Sequence, residues 1–241
     1  YDPMEKNKRV EFSSPKACMN FINRLLMFSN VSIKESDNGA VATGSTPEGF
    51  RVTAVGTYAV SDEQGANKNI YQKSPYAVIR KHSSVPIPME HLVGYNSLAD
   101  DMAKFIQLCG KYKINLGFFG DLNSGKTTLL QSALDMTDDK IRKAVLERAP
   151  ELKCRKLDAE GYQINDCTPM EYKDFNGTAP TYGNTLENLM ATVLRLSPQI
   201  VVFGEILKDE EFSFVKQATS TMAVMFTGHS TSVAQACYKM T

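Results

Sequence analysis

The 241-residue chain has no excess of charge of either sign, because its 27 Lys and Arg residues equal its 27 Asp and Glu residues. No net field attracts it to nucleic acid or anionic lipid, so we predict no direct nucleic-acid binding. It also lacks the roughly 20 consecutive apolar residues that a membrane-spanning helix needs. With 42% hydrophobic residues, we expect a soluble globular protein of one large or two modest domains.

Closely spaced cysteines are missing as well. The five cysteines lie far apart in the sequence and form no C-x-x-C pair: Cys18, Cys109, Cys154, Cys167 and Cys237. This spacing argues against a disulfide framework and against a thiolate metal site. We therefore expect free thiols in a reducing cytosol.

The first third of the chain predicts a small α+β domain. Ser14 and Pro15 have the residue types of a helix N-cap and a first helical residue. After residue 40 the pattern changes to short β-prone runs, such as Arg51–Val55, between Gly-, Ser- and Asn-rich turns. Val85–Pro88 contains two prolines and disfavours helix. We place the N-terminal domain at residues 1–84 and a hinge-like linker at residues 85–95.

Residues 96–241 predict an α/β domain. The runs Ile200–Phe203 and Ala223–Phe226 are apolar throughout, which is typical of strands buried on both faces of a parallel sheet. Helices are expected between the strands, with Asn96–Ser97 capping one and Asn184 with Glu187 forming a capping-box-like start of another. Residues 153–183 are polar and irregular, and their pattern predicts no element. Because the chain starts at a Tyr and stops without a tail signal, we expect a piece of a longer protein whose second domain is incomplete at its C-terminus.

The most informative segment is Gly120-x-x-x-x-Gly125-Lys126-Thr127, which has the spacing of a nucleotide phosphate-binding loop. An apolar strand precedes it and a helix is predicted from Lys126 to about residue 136. The glycines let backbone N–H groups turn inward, Lys126 offers its ammonium to the β- and γ-phosphates, and Thr127 offers its hydroxyl to Mg²⁺. The helix N-terminus favours the same anion. The predicted nucleotide-binding residues of the loop are Gly120, Asn123, Ser124, Gly125, Lys126, Thr127 and Thr128.

Acidic residues at strand ends are the next candidates, because hydrolysis needs a group that holds Mg²⁺ and a group that orients water. Glu205 follows a buried run at the carboxyl edge of the sheet, where ligands bind in open α/β folds. A solvated surface Glu is the alternative. Glu147 ends a weaker strand candidate, and from the residues alone its role stays open. His229 follows a strand-like run and could sense the γ-phosphate, although a lone His more often has a structural role.

The order of these motifs resembles the secretion ATPases of the type II/type IV secretion superfamily, and most of all those of type IV secretion, conjugation and Tad/Flp pilus systems. The resemblance extends from about Ala17 to the end of the chain. The segments that carry it, besides the phosphate loop, are Gly44–Val55 and Ile79–His82 in the first domain, Glu147 with Glu151–Leu152, Leu194–Glu205, and Thr227–His229.

The resemblance implies a RecA-like ATPase domain after a small α+β domain, with ATP bound between the two and Mg²⁺ as the metal. It implies that Arg80 reaches the phosphates, that Glu147 helps to polarise the attacking water, that Glu205 acts as the acid of an atypical Walker B motif, and that His229 senses the nucleotide state. It also implies a homo-oligomer, expected to be a hexamer, on the cytoplasmic face of the inner membrane in contact with membrane components of a secretion or pilus machine.

Three departures from the family pattern bear on the rate or on the coupling within a ring. One is Ser220–Ala223, which stands where the family has a Gly-rich segment before the motif that Thr227–His229 resembles. The phosphate loop contains Asp121-Leu122-Asn123 where the family has small Gly-rich residues, and Leu207 stands where an Arg commonly follows the Walker B acid. We expect nucleotide binding to survive and hydrolysis to be slow. A nucleotide-binding scaffold without turnover and an unrelated phosphate-loop kinase remain the alternatives.

Overall fold

The computed structural model describes residues 12–29, 31–34, 41–47, 49–56, 75–81, 85–172 and 184–240. The chain forms two compact units, Tyr1–His82 and Ser83–Thr241. Within the described ranges, no helix has the length and apolar character that crossing a bilayer requires.

The first unit is a helix packed on a three-stranded antiparallel sheet. Helix α1 (Pro15–Leu26) begins as predicted, because the Ser14 Oγ accepts a hydrogen bond from the Ala17 N–H at 3.1 Å. The strands pair in the order β1-β2-β3 and comprise β1 (Val41–Ser45), β2 (Arg51–Val55) and β3 (Tyr76–Arg80). One sheet face packs on α1 through a core that includes Met19, Ile22, Leu26, Val52 and Ala54.

The second unit contains a five-stranded parallel sheet with strand order β4-β8-β7-β5-β6. The strands are β4 (Leu116–Gly120), β5 (Lys143–Glu147), β6 (Cys167–Glu171), β7 (Ile200–Ile206) and β8 (Ala223–His229). Strands β5, β7 and β8 are almost wholly buried, as expected for strands covered on both faces. All five carboxyl ends lie at one edge, so this edge collects Gly120, Glu147, Glu205 and His229.

Helices cover both faces of this sheet. One face packs against α5 (Leu186–Leu196) and α6 (Asp209–Thr219). The other packs against α4 (Lys126–Asp135), with α2 (Met89–Gly94) and α3 (Asp100–Tyr112) beside it. Helix α7 (Val233–Met240) follows the last strand. The predicted fold class, an α/β phosphate-loop domain after a small α+β domain, is confirmed.

Residues 85–95, which we expected to form a linker, contain α2 and belong to the second unit. Met89 of α2 is buried in a core shared with α3 and α4. The hydroxyl of Ser132 on α4 donates to the Ile87 carbonyl at 2.7 Å. The prolines exclude helix only as far as Pro88, and the chain becomes helical directly after them.

Two predicted helix starts are wrong by one to three residues. Helix α3 has Ala99 as its N-cap, because Asn96 adopts a left-handed conformation with φ of 56° after the end of α2. Helix α5 starts after Thr185, whose hydroxyl accepts from the Asn188 N–H at 3.2 Å. Asn184 instead donates to the Glu171 carbonyl.

The strands at the site are longer than their apolar runs. Strand β7 continues past Phe203 to Ile206, and β8 continues past Phe226 to His229, so Glu205 and His229 lie within strands. Strand β6 lies within residues 153–183, for which the sequence predicted no element. It is an edge strand that contains Pro169 and, among the described residues, pairs only with β5, so its sequence lacks the pattern of a buried strand.

Candidate active site at the carboxyl edge of the sheet

The phosphate loop leaves the end of β4 and enters α4 with the backbone path that its glycines require. Gly125, the N-cap of α4, has φ of 86°, which L-residues with a side chain rarely adopt. At Gly120 a Cβ would lie 2.6 Å from the Ser124 Oγ, so a larger residue there would require the Ser124 hydroxyl to rotate away. Asn123 also has a positive φ, 57°. The loop therefore curls tightly around the N-terminus of α4, with Thr127 and Thr128 in the first turn.

Lys126 crosses the loop that it follows. Its Nζ donates to the Asp121 carbonyl at 2.6 Å, and the Asp121 carboxylate accepts from the Leu122 N–H at 2.7 Å. The Asp121 side chain thus folds back along its own backbone and does not pair with the ammonium. The residues from Asp121 to Gly125 are exposed, and Lys126 and Thr127 are half-buried. The cationic group and the hydroxyl are therefore open to a ligand.

Glu205 and His229 meet beside this loop. The Glu205 Oε1 and His229 Nε2 lie 2.9 Å apart, and both side chains are partly exposed. His229 is the partner of Gly120 across the β4–β8 ladder, so the pair lies one strand from the loop. With an ionised Glu205, the Nε2–H of the ring donates to the carboxylate. The structure thus brings together the phosphate loop, Glu205 and His229, which are three of the predicted parts of the site.

A bulge in β7 aims Glu205 at this position. The pairing of β7 with β8 shifts between Phe203 and Ile206, so Gly204 and Glu205 form an irregular step. The Thr227 hydroxyl donates to the Gly204 carbonyl at 2.6 Å in the buried interior and fixes this step. Bulges of this kind redirect a side chain at the end of a strand.

Glu147 lies at the end of β5, and its side chain is nearly inaccessible, with a relative exposure of 5%. Its Oε1 accepts from the N–H groups of Glu151 at 2.9 Å and Leu152 at 3.0 Å. Burial raises the pKa of Glu147 to about 7, and the two amide donors only partly oppose that effect. A Cβ on Gly204 would lie 2.7 Å from the Glu147 Cγ. The acid therefore packs directly against the residue before Glu205, and any side chain at position 204 would displace it.

The oxygen atoms at this edge of the sheet are of the kind that bind Mg²⁺ as ligands. This ion binds to proteins through one or two oxygen ligands and otherwise through water and phosphate oxygens. The Thr127 hydroxyl and the Glu205 carboxylate are such donors, and both are accessible. Among the described residues no group of three or more His, Cys, Asp or Glu side chains could form a metal cage.

Arg80 lies in the first unit, as the last residue of β3. It is exposed, and Arg51 is its partner on β2. Two cations directly opposite each other on one sheet face repel each other. His82, the last residue of the family-like segment in this unit, lies outside the described residues.

An ion pair that the sequence analysis missed lies behind the acids. Arg148 follows Glu147 and donates to the Glu211 carboxylate, and its guanidinium lies 5.2 Å from the centre of the Tyr172 ring. Glu211 also accepts from the N–H groups of Leu207 and Lys208, which caps α6. The pair thus links the ends of β5, β6 and β7. Only two features of the sequence indicate this ion pair. They are an Arg directly after a strand-end acid and a Glu at the third position of a helix.

Comparison with known proteins gives distant relatives. Uncharacterized protein MJ0900 of Methanocaldococcus jannaschii is 26% identical over 194 residues, which are 80% of this chain and 30% of that protein. Uncharacterized protein MJ0781 of the same organism is 26% identical over 190 residues, 76% of this chain and 22% of that protein. The chain spans less than a third of the length of these two relatives.

Solved structures share the fold. The ATPase DotB of Legionella pneumophila has a TM-score of 0.57 at 18% identity and covers 98% of this chain and 58% of its own. The pilus retraction motor PilT, solved with bound ADP, has a TM-score of 0.54 at 16% identity and covers 89% of this chain and 56% of its own. At such identities the likeness concerns the fold.

The sequence family described as Type II/IV secretion system protein matches residues 3–241, nearly the whole chain. The predicted resemblance is confirmed at this level, and the chain belongs to the type II/IV secretion system protein family.

Proposed function

We propose that this chain hydrolyses ATP as a motor subunit of a secretion, conjugation or pilus-assembly machine. The observation that carries the proposal is the convergence of the phosphate loop, the Glu205–His229 pair and the buried Glu147 at one edge of the sheet. Family membership and the fold shared with ATPases support it.

In the proposed reaction, Lys126 and the loop amides neutralise charge on the β- and γ-phosphates. Thr127 and Glu205 hold Mg²⁺, which when bound supplies further charge neutralisation on the phosphates. The ammonium of Lys126 must first leave the Asp121 carbonyl, 2.6 Å away. That bond keeps the side chain within the loop and ready to turn to a phosphate.

Glu147 is proposed to orient the attacking water and to accept its proton. A carboxyl with a pKa of about 7 is suited to this role, because it can take up and return a proton near neutral pH. Its Oε1 is held by two amides, so the other oxygen is the one proposed to face the water. His229, bonded to Glu205, is proposed to respond to the nucleotide state by exchanging this partner.

The second candidate is a subunit of the same machine that binds nucleotide without turnover. It is favoured by the close burial of Glu147 and by the exposed Leu207 in place of a cation. The family match leaves no observation in favour of an unrelated phosphate-loop kinase.

The test is Mg²⁺-dependent phosphate release by the wild type and by the variant Lys126→Ala. The motor proposal predicts a turnover that the variant reduces at least about a hundredfold, since Lys126 contacts the charge that develops on the phosphates. Nucleotide binding without turnover in the wild type would favour the scaffold.

Assembly is a separate proposal. We propose a homo-oligomer, with a hexamer as the expected state, that contacts inner-membrane components from the cytoplasmic side, with Arg80 as a phosphate contact. Mass measurement with and without nucleotide tests the oligomer, and a nucleotide-independent monomer would contradict it. An Arg80→Ala variant with unchanged turnover would remove that residue from the site.

A further inference from the structure

Gln131 is a buried polar side chain on α4, the helix that starts at the phosphate loop, with a relative exposure of 7%. Its Oε1 accepts from the Lys153 N–H at 2.7 Å and its Nε2 donates to the Lys153 carbonyl at 3.3 Å. The Nε2 also donates to Asp135 at 3.0 Å. The amide thus pairs with both backbone groups of one residue, as a neighbouring strand would. A side chain that only donates or only accepts hydrogen bonds cannot do this.

The residues just before Lys153 hold Glu147. The N–H groups of Glu151 and Leu152 both donate to its Oε1. Leu152 is itself buried in the core that contains Leu130 of α4. The segment 151–153 is therefore fixed on one side by α4 and fixes the carboxylate on its other side.

A continuous series of contacts connects the phosphate loop with the Glu147 carboxylate. It starts at Lys126 in the first turn of α4 and passes through Gln131 and the segment 151–153 to the Glu147 carboxylate. The carboxylate in turn packs on Gly204, next to Glu205. The spacing between the phosphate loop and the acid depends on this series.

We propose that Gln131 is a positioning residue for hydrolysis, which sets the place of the Glu147 carboxylate relative to the phosphate loop by clamping Lys153. The inference rests on the proposed ATPase activity. It assigns a role to a residue that lies outside the phosphate loop and the strand-end acids and bonds to Lys153 and Asp135. Displacement of a reacting group by about 1 Å can cost about a hundredfold in rate, so the clamp should act on kcat.

The test compares Gln131→Met with Asn165→Leu. Met has nearly the volume of Gln, but it cannot donate to the Lys153 carbonyl and its sulfur accepts hydrogen bonds only weakly. Asn165 is the matched control, because it has a similar exposure of 6% and its amide also clamps two backbone groups, the Cys154 carbonyl at 2.8 Å and the Lys156 N–H at 2.9 Å. Those groups lie in the same loop, but Asn165 does not join the loop to α4.

We expect Gln131→Met to lower kcat about tenfold or more with an unchanged KM for ATP, and Asn165→Leu to keep kcat within about twofold. In a Glu147→Gln background, Gln131→Met should cost little more, because the group that it positions is gone. Equal losses in the two variants, no loss in Gln131→Met, a loss in KM alone, or additive losses in the double variant would overturn the inference.

Amide hydrogen exchange separates this inference from the proposed function. The N–H groups of Glu151 and Leu152 should lose protection in Gln131→Met and keep it in Asn165→Leu. If the wild type shows no Lys126-dependent turnover, the proposed function fails. In that case unchanged protection of the two amides in Gln131→Met would overturn the clamp as well, and lost protection would support it.

Discussion

Replacing Glu147 by Gln should remove a large part of the pH dependence of stability. Burial raises the pKa of this carboxyl from 4.5 to about 7 in the folded protein. Between these values the folded state holds a proton that the unfolded state has lost, so the free energy of unfolding falls as the pH rises from about 4.5 to about 7. The stabilisation is fully present below about 4.5 and lost above about 7. A rise of the pKa from 4.5 to about 7 corresponds to about 3 kcal/mol of free energy of unfolding.

Gln has nearly the same shape as Glu, and its carbonyl oxygen can still accept from the N–H groups of Glu151 and Leu152. It carries no charge at any pH. Urea unfolding followed by circular dichroism at pH 5 and pH 8 should therefore show the variant gaining about 2 to 3 kcal/mol relative to the wild type at the higher pH.

Glu171→Gln is the matched control. Glu171 is the partner of Glu147 on the neighbouring strand β6, but it is exposed. Its replacement removes a carboxylate from the same sheet edge without removing a buried group, so the difference in stability between pH 5 and pH 8 should stay as in the wild type. If Glu147→Gln follows the wild-type curve from pH 5 to pH 8, the carboxyl is ionised without cost in the folded protein, and the reasoning from burial is refuted.

Two further substitutions test the packing around the site. Gly204→Ala should destabilise the protein by about 1 to 3 kcal/mol, because its Cβ would lie 2.7 Å from the Glu147 Cγ. In a Glu147→Ala background this destabilisation should largely vanish. Urea unfolding measures both, and an equal destabilisation in the two backgrounds would exclude this contact as the cause. Arg148→Met should cost about 2 to 3 kcal/mol, since it leaves the nearly buried Glu211 without its ion-pair partner. Thermal unfolding should be measured for Arg148→Met and, beside it, for Glu211→Gln. A thermal stability of Arg148→Met equal to that of the wild type would contradict this reasoning.

The residues at the sheet edge were predictable because strand ends are encoded locally. An apolar run followed by a polar residue marks the edge of a buried parallel strand, and this placed Glu205 and His229 correctly at the carboxyl edge. The phosphate loop carries its own path in its glycines. The strand-end signal was less exact about length, because the bulge at Gly204 lets β7 continue beyond its apolar run.

The lateral contacts behind the edge could not be predicted in the same way. Gln131 meets Lys153 across 22 residues, and Arg148 meets Glu211 across 63 residues. Neither pair has a spacing that a helix or strand period would reveal. Their partners come together only through the strand order β8-β7-β5-β6, which the sequence did not specify. Strand β6 was missed for the same reason, since its pairing with β5 decides its structure more than its residues do.

In the proposed ATPase, the unusual interior of the phosphate loop should affect the rate of hydrolysis more than the binding of nucleotide. Asn123 takes the positive φ of 57° that glycine otherwise supplies, a conformation that Asn tolerates better than most residues. Asp121 turns its carboxylate onto the Leu122 N–H, so the loop keeps its curl around the helix N-terminus. What changes is the charge near the phosphates, which the Asp makes more negative. An added negative charge weakens the stabilisation of charge that develops in the transition state. We therefore expect Asp121→Gly to raise kcat more than it changes the Kd for ATP, and a change confined to Kd in nucleotide-binding and phosphate-release assays would contradict this argument.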